Sequence, residues 1–283
     1  MQSPAPATIP IDLGCIGLVL LASSLALAPL VLLIVRQIFP GRNVVFRRWG
    51  FSHVAVVLLA IAAVLVLEAQ LVPVREGGDD FVTALLRMAI AEGAGVLVAA
   101  WFAARVEPDG VRALGFPPGR ELQSVLAGVT SYFLLLPGLF GLLLAWAWAM
   151  QHLSPGSGPQ PVLKLAMELP HEQRWKAVVL GVLVVPLFEE LLFRAFLQPL
   201  LVQNLRDRIG LTVTAACFAV LHGPEAAVPV FGLALILGGL MQRTQRILAC
   251  WSVHALHNGL SFALVFLFPD APHHLYGQGL FLF

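Results

Sequence analysis

The chain has 283 residues, of which 59% are hydrophobic and 12% charged, with a net charge of +1 and a mean hydropathy of +0.87. A charged content far below the roughly 25% of an average soluble domain excludes that class and indicates a polytopic membrane protein. The near-neutral balance points to neither nucleic acid nor an acidic partner.

Apolar runs near the length that spans about 30 Å of hydrocarbon recur along the chain. They predict an all-α fold with spans over 13–35, 52–73, 81–104, 122–149, 176–200, 210–222, 226–242 and 247–268, about eight in all, with 210–222 short. Met1 to Pro10 carries no charge, so the first run is read as a retained anchor and not a cleaved signal. Residues 1–121 supply three spans with few polar groups inside them. Arg87 and Glu92, five apart in the third span, are exceptions whose role stays open. A loop with Gly110, Pro117, Pro118 and Gly119 follows.

The fourth span leads into the one long hydrophilic insertion, 150–175. There Ser154 to Pro161 reads as a loop and Val162 to Lys176 as a short surface helix. Trp146, Trp148 and Trp175 flank it as interfacial anchors. The remaining polar motifs all follow, so the chain divides into N-terminal helices (1–121), a catalytic membrane core (122–268) and a tail (269–283). Cys15, Cys217 and Cys250 form no CxxC pair and read as small buried hydrophobes.

With the N-terminus outside, the inner loops hold eleven arginines and the outer loops only Arg75, Lys164, Arg174 and Lys176, as the positive-inside rule requires. Both termini would then face outward, with the polar centre in the middle to cytoplasmic part of the bilayer.

Three polar clusters interrupt the later spans. Glu189 and Glu190 are followed by Arg194; two carboxylates at membrane depth are costly, since a charged group at a helix centre costs about 2.5–3.5 kcal/mol even on the lenient insertion scale. Residues four apart share a helix face, so Glu190 can pair with Arg194 while Glu189 is turned about 100° away and can face a cavity. A carboxylate so placed suits general-base work. His222 ends a short span before Gly223-Pro224, a break tolerated at that depth only where it is buried in protein or lines a cavity. His254 and Asn258 are again four apart, with His257 beside them. At about 1.5 Å per residue, Glu189, His222, His254 and Asn258 lie about 17, 18, 10 and 16 Å from the inner ends of their spans. A base, an imidazole that orients water and a donor pair for an oxyanion are the parts for hydrolysing an acyl bond.

Glu-Glu-x-x-x-Arg, Phe-x-x-x-His and His-x-x-x-Asn, in this order on separate spans, resemble the CPBP intramembrane endopeptidases, the group of the CAAX prenyl proteases and bacterial relatives linked to bacteriocin self-immunity. The likeness runs over about 110–268, starting at Leu114-Gly115-Phe116. It implies that Glu189 activates water, His222 helps hold it, and His254 with Asn258 stabilises the oxyanion, while Glu190 and Arg194 position the site. His257 is outside the pattern, and Phe218 is read as packing. The implied partners are membrane lipids and a membrane-associated protein or peptide cleaved near its C-terminus, prenylated in the family's best-known case. The implied location is a bacterial or archaeal plasma membrane.

No cofactor is expected on the favoured reading. Zinc held by Glu189, His222 and His254 is the alternative, although no His-Glu-x-x-His helix is present. A non-proteolytic binding protein that keeps the fold, such as an immunity or maturation factor, is the reading from another class. A transporter using carboxylates as a proton relay is a third, against which no inverted repeat is visible.

Overall fold

A computed structural model describes residues 13–39, 46–71, 81–153 and 165–267. The expected outer loop at Ser154 to Pro161 and the tail lie outside them. The described residues are overwhelmingly helical and contain no strand. The helices are α1 (Leu13–Ile38), α2 (Phe51–Leu71), α3 (Phe81–Val106), α4 (Glu121–Leu153), α5 (174–205), α6 (Asp207–Val220), α7 (Ala227–Thr244) and α8 (Ile247–Leu267), with a 3₁₀ turn at Gly110–Leu114.

Six of them, α1 to α4, α7 and α8, are long and apolar enough to cross a membrane, against the eight spans expected. The 14 residues of α6 reach only about 21 Å, short of the hydrocarbon thickness. The α5 rod is broken into short segments by two π-helical stretches, Val179–Val184 and Leu191–Leu197. Each precedes a proline, Pro186 or Pro199. A proline inside a helix lacks the N–H that would bond the carbonyl four residues back and clashes with it. Here those carbonyls belong to Val182 and Ala195, inside the widened turns.

Carbonyls of the two π stretches accept hydrogen bonds from neighbouring elements. Asn258 Nδ2 donates to Gly181 and Trp251 Nε1 to Leu183, each at 2.9 Å, and Trp49 Nε1 donates to Phe196 at 2.9 Å. At membrane depth a backbone acceptor has no water to turn to, so the first two bonds fix α8, and the third the segment before α2, against α5.

Small residues set the other close approaches. Gly17 and Gly141 bring α1 onto α4, and Gly128 brings α4 onto α8 at Ser252 and Ala249. Gly115, at φ +91°, turns the chain after the 3₁₀ turn so that its carbonyl accepts from Ile247 N at 3.0 Å, seating the start of α8. Arg246 reinforces this by donating to the carbonyls of Pro117 and Pro118 at 3.1 and 3.3 Å.

Three sequence expectations are corrected. The surface helix expected from Val162 to Lys176 is broken at Leu169-Pro170, because a residue before proline is pushed out of the helical region, and α5 starts only at Arg174. Cys15 and Cys217 are exposed and only Cys250 is buried; none forms a disulfide. A surface of lipid-facing helices accepts an apolar thiol as readily as a core does. Trp146 is not simply an anchor, since its Nε1 donates to the Pro224 carbonyl at 3.1 Å and ties α4 to the break after His222.

Candidate active site

The three clusters meet around one cavity of about 610 Å³. This is within the range of roughly 300–1,000 Å³ typical of ligand sites. Glu189 reaches it from α5, His222 from the turn after α6, and His254, His257 and Asn258 from α8. α3, in the segment expected to carry little chemistry, also lines it through Phe81, Leu85, Met88 and Glu92. Phe193, Phe218 and Leu233 also line it, as do Gly223 and Glu225 of the α6–α7 turn and Phe262 near the end of α8, whose ring lies 5.7 Å from that of Phe81.

Arg194 and Glu190 are fully buried and form an ion pair at 3.3 Å. The guanidinium also lies over the Phe218 ring at 4.6 Å, so a cation that would be costly in hydrocarbon gains a carboxylate and a π face. Phe218 is therefore more than filler. Its ring also touches those of Phe193, His222 and His254 at centroid distances of 5.0, 4.6 and 5.8 Å.

His254 is buried between both glutamates, with Nδ1 2.9 Å from Glu190 Oε1 and Nε2 3.6 Å from Glu189 Oε2. Glu190, paired with Arg194, is an acceptor, so Nδ1 carries a proton and donates to it. His222 Nδ1 lies 2.8 Å from the Phe218 carbonyl. A carbonyl only accepts, so Nδ1 is the donor and, in the neutral ring, Nε2 presents a lone pair. Asn258 spends one N–H on Gly181 and keeps a second. His257 Nδ1, Glu92 Oε2 and the Tyr132 hydroxyl are buried without hydrogen-bond partners, and the Tyr132 and His257 rings lie 6.1 Å apart.

Among the described residues no three His, Cys, Asp or Glu side chains come together so as to hold a metal ion. The alternative zinc set of Glu189, His222 and His254 is not such a group as arranged.

This arrangement brings Glu189, His222, His254 and Asn258 to one cavity, and residues 171–260 match the family model of the type II CAAX prenyl endopeptidase Rce1-like proteins. The chain carries an Rce1-like domain. The Rce1-like family is one of CAAX endopeptidases, hydrolases of peptide bonds, and the protein is an integral membrane protease. The Rce1-like stretch contains Glu189, Glu190, Arg194, His222, His254 and Asn258, whereas Glu92 lies outside it. No curated protein and no solved structure matches the chain.

Sequence spacing brought out Glu190 with Arg194 and the shared face of His254 and Asn258. It did not bring out the link from His254 to both glutamates, the Gly181 carbonyl under Asn258, or Glu92 in the cavity. The only available signal for Glu92 was a carboxylate within an apolar span.

Proposed function

We propose that the protein cleaves a peptide bond near the C-terminus of a membrane-associated protein or peptide by glutamate-activated water, with no step passing through a metal. The observation that supports this best is the convergence of Glu189, His222, His254 and Asn258 on one cavity from three separate elements. Water seated between Glu189 and His222 Nε2 would give one hydrogen to each acceptor and turn an oxygen lone pair to the scissile carbonyl. Glu189 takes the proton as the oxygen attacks.

The oxyanion that forms needs donors. Asn258 has its second N–H for it. His254 can donate from Nε2 only as an imidazolium, because its Nδ1–H is held by Glu190, and that carboxylate stabilises the cation. Glu190 and Arg194 thus serve the reaction through His254. With the arginine-rich helix ends in the cytoplasm, the start of α3 and the end of α8 face the outer side, and the polar centre lies in the middle to cytoplasmic part of the bilayer. A prenyl group is one chemistry the apolar lining accommodates.

The test is cleavage of an internally quenched peptide with a prenylated CAAX end by the full-length protein in liposomes. Glu189→Gln should remain folded and lose about 10²–10⁴ in rate. An undiminished rate would refute Glu189 as the base. A folded protein without any cleavage, and with unchanged partner binding in the Glu189→Gln variant, would favour the binding-protein reading.

A further inference from the structure

Glu92 lies near the middle of α3 and lines the same cavity as Glu189, His222 and His254. Its Oε2 is shut off from solvent and meets no hydrogen-bond donor. It stands within Coulombic reach of Glu189. Among the described residues no lysine or arginine lines the cavity, and the guanidinium of Arg194 is engaged by Glu190 and the Phe218 ring. With Glu92, Glu189 and Glu190 all ionised, three negative charges would exceed the cations that face them, Arg194 and the imidazolium of His254, in a low-dielectric site. Two carboxyls in such a site settle on one proton between them.

The hydrolysis proposed above has a use for that proton. The leaving amine must be protonated as the C–N bond breaks; the Nδ1–H of His222 is held by the Phe218 carbonyl and that of His254 by Glu190, the Nε2–H of a protonated His254 serves the oxyanion, and the proton that Glu189 takes from water is the competing source. Asn258 is not an acid. We propose that Glu92 and Glu189 share one proton in the resting site and that Glu92, as a catalytic residue, delivers it to the leaving nitrogen. This rests on the reading of Glu189 as the base.

The step balances. Before attack the shared proton sits on Glu92 and Glu189 is a carboxylate. The water oxygen bonds to the carbonyl carbon while Glu189 takes one water proton. The oxyanion then re-forms the C=O bond, the C–N electron pair goes to nitrogen, and nitrogen takes the Glu92 proton. The products are a carboxylic acid and an amine. Transfer of the proton from Glu189 to Glu92 restores the site.

The experiment compares two internally quenched prenylated CAAX peptides, one with the scissile amide and one with an ester in its place, using the full-length protein in liposomes. An ester leaves as a much weaker base than an amine and depends less on an acid. Glu92→Gln should slow the amide at least about 100-fold and the ester by less than about tenfold, whereas Glu189→Gln should slow both. Unchanged amide cleavage in Glu92→Gln, or equal loss on both peptides, overturns the proposal. So does an amide-selective loss in His257→Asn in its place. Infrared difference spectra give a readout free of substrate: the band of a protonated carboxyl should vanish in Glu92→Gln and in Glu189→Gln alike, and its persistence in Glu92→Gln overturns the shared proton. A wild-type protein that cleaves neither peptide refutes the protease reading, while the infrared result still decides the shared proton.

Discussion

The buried pair of Glu190 and Arg194 offers the most direct test of how the site is held together. Both side chains have no exposed surface and lie 3.3 Å apart. Removing one partner of such a pair leaves an uncompensated charge and costs about 3–5 kcal/mol. Glu190→Gln leaves Arg194 only the Phe218 face, a contact worth about 0.5–2 kcal/mol. Its loss should therefore fall at the upper end of the range. Arg194→Met leaves Glu190 with the His254 Nδ1 donor at 2.9 Å, a hydrogen bond that survives the loss of the guanidinium. The loss should fall at the lower end. The double variant buries no unpaired charge, and such replacements are often near neutral, so it should cost less than either single change, with a coupling of about 2 kcal/mol or more. The measurement is denaturant unfolding in micelles followed by helical circular dichroism. Single variants within about 0.5 kcal/mol of wild type, or additive losses in the double, would refute the pair as a mutually dependent unit.

Two further outcomes follow from the geometry. Asn at position 222 can keep a donor to the Phe218 carbonyl but loses the Nε2 acceptor, whereas Gln can place a carbonyl oxygen near it; His222→Asn should lower kcat about 10²–10⁴-fold at unchanged stability and His222→Gln less, and equal, wild-type rates in both would remove His222 from water binding. Gly128→Ala would drive a methyl group into Ser252 Oγ and the Ala249 carbonyl on α8, at a cost of about 1–3 kcal/mol and with loss of activity as His254 shifts. Gly239→Ala, with nothing within 4 Å of the added carbon, should be neutral or gain up to about 1 kcal/mol in the same unfolding measurement.

The helices were legible because hydrocarbon demands long apolar runs, and every expected run corresponds to a helix within a few residues at most boundaries. The number of spans was less legible. A run such as 176–200 reads as one continuous helix, and only the carbonyl geometry ahead of Pro186 and Pro199 shows two widened turns. Glu190 with Arg194, and His254 with Asn258, were legible because a four-residue spacing is a local property of a helix. Contacts between helices have no such period. Neither Asn258 with Gly181, 77 positions apart, nor Trp251 with Leu183 could be read from spacing, and Glu92 shares a cavity with Glu189 only because α3 packs against α5.

One of these contacts between helices changes what the adjacent glutamates mean. Neighbours on a helix point about 100° apart, which suggests two separate jobs, one structural and one chemical. The imidazole of His254 defeats that separation, because its two nitrogens lie on different sides of the ring and each meets a different glutamate. Arg194, Glu190, His254 and Glu189 therefore form a single line of contacts in which positive and negative groups alternate once His254 is protonated. A proton on His254 is stabilised from behind by Glu190, whose own charge is stabilised by Arg194. In the proposed hydrolysis, a protonated His254 would stand ready as Glu189 takes a proton from water and negative charge moves onto the substrate oxygen. The cost of burying Glu190 and Arg194 is then connected to the proposed chemistry, since Glu190 holds the Nδ1–H of His254 and Arg194 holds Glu190.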